Sequence, residues 1–168
     1  ARPKALVLIN PGNPTGGVLD RRALEEILAF AQRKNLVVLA DEVYQANVFD
    51  EDAKFVSVKK IVRDLHFDDL SVVSFHSISK GVTGECGVRG GYFELCNVSE
   101  EVTAQLVKLA SISLCSNVPG QIATGLMVNP PSHDAGPADA ADRTAKLRSL
   151  HRRSLRVAAA LDALPGVT

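Results

Sequence analysis

Three short apolar runs separated by helical patterns constrain this chain more than any other feature of it. Ala5–Ile9, Leu36–Ala40 and Ser71–Phe75 each have the length of a strand and are too short for a helix. Their continuous rather than alternating apolar character predicts strands buried on both faces. Between the first two, Asp20 is placed to cap a helix whose Leu24, Ile27, Leu28 and Ala31 follow the spacing of one helical face. A shorter helix is predicted from Val58 to Leu65. This βαβαβ order implies parallel pairing through right-handed crossovers, hence an α/β fold.

The remaining segments extend that plan. Gly90–Leu95 reads as a further strand, reached through the glycine-rich turn Gly81–Gly91. That connection is too short for a helical crossover, so an antiparallel strand is expected. Ser99 caps a predicted helix with Val102, Leu106 and Leu109 on one face, and Pro119 suits the first turn of another that runs to Val128. The segment 129–138, with Pro130, Pro131, Gly136 and Pro137, reads as a loop or linker. A last helix is predicted from Asp139 to Leu164, stopped by Pro165-Gly166 and carrying Leu147, Leu150, Val157, Leu161 and Leu164. The expected division is therefore 1–138 and 139–168. A long terminal helix and the absence of an initiator Met suggest a chain drawn from the middle of a longer one.

Composition narrows the function classes. Nineteen Lys and Arg balance nineteen Asp and Glu, leaving no bulk electrostatic reason to bind nucleic acid or an anionic membrane. The apolar runs are too short to span a bilayer, and no signal-peptide plan opens the chain. Cys86, Cys96 and Cys115 are odd in number and lack metal-ligand spacing, which predicts reduced intracellular thiols and no metal site. The basic run Arg148, His151, Arg152, Arg153 and Arg156 reads as the solvated face of the last helix. The turn Gly81–Gly91 lacks the Gly-Lys-Ser/Thr ending of a nucleotide-binding loop.

Chemistry gathers at strand ends, where open parallel sheets bind ligands. The first strand is followed by Asn10-Pro11-Gly12-Asn13-Pro14-Thr15-Gly16-Gly17, the second by Asp41-Glu42-Val43-Tyr44, the third by His76-Ser77-Ile78-Ser79-Lys80-Gly81. Each alone has a plain structural explanation as turn, cap or surface charge. Together they offer a lysine nucleophile, a carboxylate, a phenol and, after the glycine-rich turn, an arginine. That set suits pyridoxal 5'-phosphate, which takes a Lys for its Schiff base, a partner for its pyridine nitrogen and an anion site for its phosphate. Asp41 would keep the ring nitrogen protonated, Tyr44 would donate to the phenolic oxygen, and Ser77 and Arg89 would hold the phosphate. Glu42, adjacent to Asp41, points to the opposite face and reads as structural. Cys86 reads as a small space-filling residue of the turn, with oxidation as the alternative.

The strings NPGNPTGG, DEVYQ, SFHSISKG and GECGVRGGYFE, in this order, resemble fold type I aminotransferases, and the last two resemble alanine aminotransferase most. The resemblance is strongest from Leu6 to Glu94. It implies that Lys80 is the Schiff-base lysine and Asp41 the pyridine-nitrogen partner. It also implies that Asn13 and Tyr44 contact the phenolic oxygen, and Ser77 and Arg89 the phosphate. The fold implied is a partial large domain of a fold type I pyridoxal-phosphate enzyme: a mostly parallel sheet with one antiparallel strand and flanking helices, 1–138. Residues 139–168 would then lead toward a small domain.

The same resemblance sets expectations for the longer protein: exchange of an amino group between alanine and 2-oxoglutarate, in an intracellular homodimer, cytoplasmic or alternatively mitochondrial. The family's ring-stacking aromatic residue and its substrate-carboxylate arginine match no position in the chain, so the 168 residues alone are expected to be inactive. Two alternatives share these motifs: a pyridoxal-phosphate lyase such as 1-aminocyclopropane-1-carboxylate synthase, and a non-catalytic fragment that binds cofactor or acts as an interaction module.

Overall fold

The computed structural model describes residues 2–130 and 137–167, and its first half follows the order that the apolar runs predict. The strands are β1 (Ala5–Ile9), β2 (Val37–Asp41), β3 (Val72–Ser77) and β4 (Gly91–Cys96). The helices are α1 (Arg21–Arg33), α2 (Val58–Asp64), α3 (Glu100–Ala110), α4 (Val118–Val128) and α5 (Pro137–Asp162). The sheet has the order β1-β2-β3-β4; the first three strands are parallel and β4 runs antiparallel to β3. Register places Ile9 beside Asp41 and Asp41 beside Phe75, so the three parallel strands end along one edge. The chain forms two compact units, Ala1–Val128 and Asn129–Thr168.

Local chemistry accounts for the helix starts. The Asp20 carboxylate accepts from the Ala23 amide at 2.7 Å and the Ser99 hydroxyl from the Val102 amide at 3.3 Å, each satisfying one free N–H of a first turn. At α2 the cap comes from elsewhere. Ser57 makes no side-chain cap bond; Glu42 accepts from the Val58 amide at 2.7 Å and from the Ser57 hydroxyl at 3.1 Å.

The core lies on one side of the sheet. Leu24, Leu28 and Ala31 of α1 and Val58, Ile61 and Val62 of α2 pack with Val38, Ala40, Val72 and Cys96, with Leu6 and Leu8 at the margin. In a sheet whose strands advance in one direction, right-handed crossovers place successive helices on the same face. The expectation of strands buried on both faces therefore fails. β1 alternates exposed and half-buried residues, with Val7 65% and Ile9 43% exposed, and Val37, Phe75 and Phe93 are exposed on the same face. α3 also buries none of its residues, and Val102 and Leu109 stay exposed.

In the second unit, α5 begins at Pro137, a residue suited to a first helical turn, rather than after the linker expected over 129–138. Residues 131–136 of that linker lie outside the described residues. Arg148, Arg152, Arg153 and Arg156 are exposed, as are Leu155, Val157, Leu161 and Leu164. No helix among the described residues is long and apolar enough to cross a membrane.

Candidate active site

The edge where the parallel strands end opens into a cavity of about 650 Å³. All six residues singled out from the sequence line it: Asn13, Asp41, Tyr44, Ser77, Lys80 and Arg89. Its floor is the uncovered face of the sheet, through Val7, Ile9, Leu39 and Phe75. A larger cleft of about 890 Å³, between β4 and α4, shares Arg89 but none of the other five.

Three turns deliver these side chains. After β1, the buried Asn10 accepts from the Leu19 amide at 2.9 Å, and Gly12 closes the loop through its amide to Gly17 O at 2.8 Å. Asn13 sits on the rim of that loop. Asp41 ends β2, and one of its carboxylate oxygens accepts from the Val43 amide at 3.2 Å, which fixes the carboxylate toward the cavity side and starts the turn that carries Tyr44. Glu42 goes to the other side and is only 6% exposed. Burial raises its carboxyl above the usual range, against the lowering effect of the Val58 and Ser57 hydrogen bonds. Its structural assignment thus acquires a specific content: it caps α2.

After β3, the chain turns around the fully buried Ile78, whose carbonyl accepts from the Glu85 amide and the Thr83 hydroxyl at 2.8 and 2.9 Å. Gly81 follows Lys80 at φ +65°, where a Cβ would lie 3.2 Å from Asn47 Oδ1 and 3.4 Å from Val43 O. Glycine is required there both for the left-handed backbone and for the close approach. Lys80 itself is exposed into the open cavity.

Arg89 returns to the same place from the far end of this turn. Its Nη1 donates to Cys86 O at 2.9 Å and to Ser79 Oγ at 3.4 Å. The Ser77 hydroxyl is engaged with backbone, donating to Gly90 O at 3.2 Å and accepting from the Ser79 amide at 3.0 Å. Ser79 and His76, which have no role in the sequence reading, also line the cavity, as does Cys86, read there as a space-filling residue of the turn. Ser79 was within sight, inside the Ser-x-Ser-Lys string; its contact with Arg89 is what distinguishes it. His76 stacks edge-on against Tyr92 at 5.7 Å, and burial lowers its imidazole below the usual value despite the nearby Asp41. Among the described residues, no group of three or more His, Cys, Asp or Glu gathers as a metal site.

The arrangement offers a primary amine, a carboxylate held from one side only, a phenol and a guanidinium around one open space. It suits a ligand with an electrophilic carbon, a basic ring and an anionic group.

Comparison with known proteins agrees with this chemistry. A family model described as "Aminotransferase class I and II" matches residues 1–167. A protein named "Probable alanine aminotransferase, mitochondrial" from Dictyostelium discoideum is 52% identical over 174 residues, covering 99% of this chain and 32% of that protein. "Alanine aminotransferase, mitochondrial" from Saccharomyces cerevisiae is 44% identical over 174 residues, covering 99% of this chain and 29% of its own length. The solved alanine aminotransferase from Pyrococcus furiosus superposes with a TM-score of 0.78 at 27% identity, over 97% of this chain and 38% of that one. The chain spans about a third of the length of the curated relatives it matches. With the family match running through nearly every residue and the strand-edge cavity carrying the family's strings, the chain belongs to the class I and II aminotransferases.

Proposed function

We propose that the cavity holds pyridoxal 5'-phosphate and that the protein carrying this chain transfers amino groups between alanine and 2-oxoglutarate. The observation that carries this is the convergence of Lys80, Asp41, Tyr44, Asn13, Ser77 and Arg89 on one cavity from three separate turns. The donor set fits the cofactor's groups. The Lys80 amine would hold its aldehyde carbon, and the Asp41 carboxylate would sit against its ring nitrogen. Tyr44 and Asn13 would donate to its phenolic oxygen, and Arg89 with Ser77 would take its phosphate. When bound, the cofactor supplies a protonated pyridine ring that accepts the electron pair released at a substrate α-carbon.

The remaining work falls to the chain. Asp41 keeps a fixed negative charge where the ring nitrogen needs its proton. With its amine free, Lys80 would be the base that takes the proton from the substrate α-carbon and gives it back in the return direction. Alanine as substrate is supported by the names of the relatives, and a mitochondrial location by the same names. A homodimer is supported by the family resemblance alone.

The test is covalent mapping. Pyridoxal 5'-phosphate added to the intact protein should give a visible absorption band, and borohydride should fix the label on the peptide containing Lys80. Label on Lys54, Lys59 or Lys108 instead would refute the assignment. Lys80→Arg, too weakly nucleophilic at neutral pH, should abolish the band. Turnover of alanine with 2-oxoglutarate rather than of S-adenosylmethionine distinguishes the transferase from the lyase.

A further inference from the structure

Arg89 is held in a costly conformation. Its backbone lies at φ +60° and ψ +59°, the left-handed region that residues with a side chain rarely enter. Something outside the turn must over-determine it, and the first turn of α4 does so. Asn117, just before α4, donates from Nδ2 to the carbonyl of Val88. Gly120 lies so close beneath the turn that a Cβ there would stand 2.6 Å from Arg89 O and 3.1 Å from Arg89 C. Gly90 answers it: a Cβ on that residue would stand 2.5 Å from Gly120 O and 2.6 Å from Thr124 Oγ1. Thr124 in turn donates to Gly120 O at 2.7 Å. Two backbones are therefore pressed together through two glycines, with the peptide of Arg89 between them and the Asn117 amide. None of these α4 residues lines the cavity that holds Lys80 and Asp41.

We propose that Asn117 and Gly120 are positioning residues that lock Arg89 in its left-handed conformation, and that this lock sets the affinity of the cavity for the phosphate of its ligand. Released from it, the Arg89 backbone relaxes toward the ordinary regions and the guanidinium leaves the position it shares with Ser79 and the Cys86 carbonyl. The proposal rests on Arg89 as the phosphate's partner, and its test separates the two ideas.

The experiment measures, in the intact protein, the dissociation constants of pyridoxal 5'-phosphate and of pyridoxal, which carries the same aldehyde without the phosphate. Gly120→Ala and Asn117→Ala should each weaken pyridoxal 5'-phosphate roughly tenfold, the scale of one charge-assisted hydrogen bond, while leaving pyridoxal unchanged. Gly125→Ala, on the same helix with nothing within 4 Å of the added Cβ, should alter neither. Combining Asn117→Ala with Arg89→Ala should cost no more than Arg89→Ala alone. Equal losses for both ligands, an unchanged preference for the phosphorylated one, or the same effect from Gly125→Ala overturns the proposal. Should Gly120→Ala not fold, Asn117→Ala, which adds no bulk, decides alone. If Arg89→Ala itself leaves the preference for phosphate intact, it is the assignment of Arg89 that fails.

Discussion

The two faces of the sheet use the same strands for opposite ends. On one face, Leu6, Leu8, Val38, Ala40, Val72 and Cys96 meet α1 and α2 and form the core. On the other, Val7, Ile9, Leu39 and Phe75 form the floor of a solvent-open cavity. Asp41 and Glu42 show the division at its finest. They are neighbours in sequence, and the pleat sends one to the cavity and the other under α2. The carboxylate on the covered face is buried and held by two donors, so it serves the fold. Among the described residues, the one on the open face accepts from the Val43 amide through one oxygen only, which leaves the other available to a ligand. Which face a residue occupies therefore says more about its work than which residue type it is.

The openness of that face yields the largest expected effect. In the proposed reaction, transfer of a proton at a substrate α-carbon needs the substrate held over Lys80 and water excluded, and orientation alone is worth about 7–11 kcal/mol of barrier. The 168 residues by themselves leave the cavity floor exposed and match about a third of their relatives' length. They are expected to turn over alanine and 2-oxoglutarate, with added pyridoxal 5'-phosphate, several orders of magnitude more slowly than a full-length aminotransferase. A coupled assay for pyruvate measures this, and comparable rates would show that the open face suffices.

Next in size is the contrast between adjacent carboxylates. Asp41→Asn in the intact protein removes the charge proposed to face the ring nitrogen and should lower kcat by about two to four orders of magnitude, the scale of a lost electrostatic stabiliser or proton-transfer group. Glu42→Gln keeps an acceptor for the Val58 amide and should leave kcat within about twofold, a surface-like perturbation of the chemistry. Steady-state kinetics at saturating cofactor reads both. Equal losses would erase the distinction between the faces.

Packing gives the third contrast. Leu28→Ala, fully buried between α1 and the sheet, should cost about 2–5 kcal/mol through lost transfer energy and a cavity. Val7→Ala on the open face should cost no more than about 0.5 kcal/mol. Chemical denaturation of the 168-residue chain measures the pair. A Val7→Ala cost above about 1 kcal/mol in a longer protein would mean that this face is packed there.

Much of this was legible from local signals. Asp20 and Ser99 announced their helices because a cap acts within three residues, and β4 was readable as antiparallel because the glycine-rich turn Gly81–Gly91 supplies no crossover helix. The candidate site was legible for the same reason: each of its side chains sits in a short string at the end of a strand. Face occupancy was not. A continuous run such as Ala5–Ile9 fits burial on either one or both faces, and the outcome depends on where helices lie, which no short window reports. Long-range pairs were equally silent. Glu42 caps a helix 16 residues away, and Asn117 braces Val88 from 29 residues away, with nothing in either segment to mark its partner.

The smallest effects lie in the pH dependence of stability, where two groups on the β2 and β3 ends pull in opposite directions. Burial raises the folded-state carboxyl of Glu42 above its ordinary value of 4.5. The folded state thus binds its proton more tightly than the unfolded one, so the contribution of Glu42 is fully present below that value and is lost as pH rises through the raised one. His76 has the opposite sign. Burial lowers its folded value below 6.5, so its contribution is present above 6.5 and is lost as pH falls through the depressed value, when the unfolded chain takes up a proton that the folded one resists. His76 is only half-buried and Asp41 partly offsets its desolvation, so solvent screening keeps its share small. Glu42, more deeply buried, should contribute more. Thermal unfolding between pH 4.5 and about 7 checks both, a window set by the ordinary value of Glu42 and the histidine range. Glu42→Gln should raise the midpoint at the upper end relative to the lower, whereas His76→Gln should flatten the fall toward the lower end. A Glu42→Gln variant that loses stability at neutral pH would show that the charge, and not only the acceptor oxygen, is what holds the start of α2.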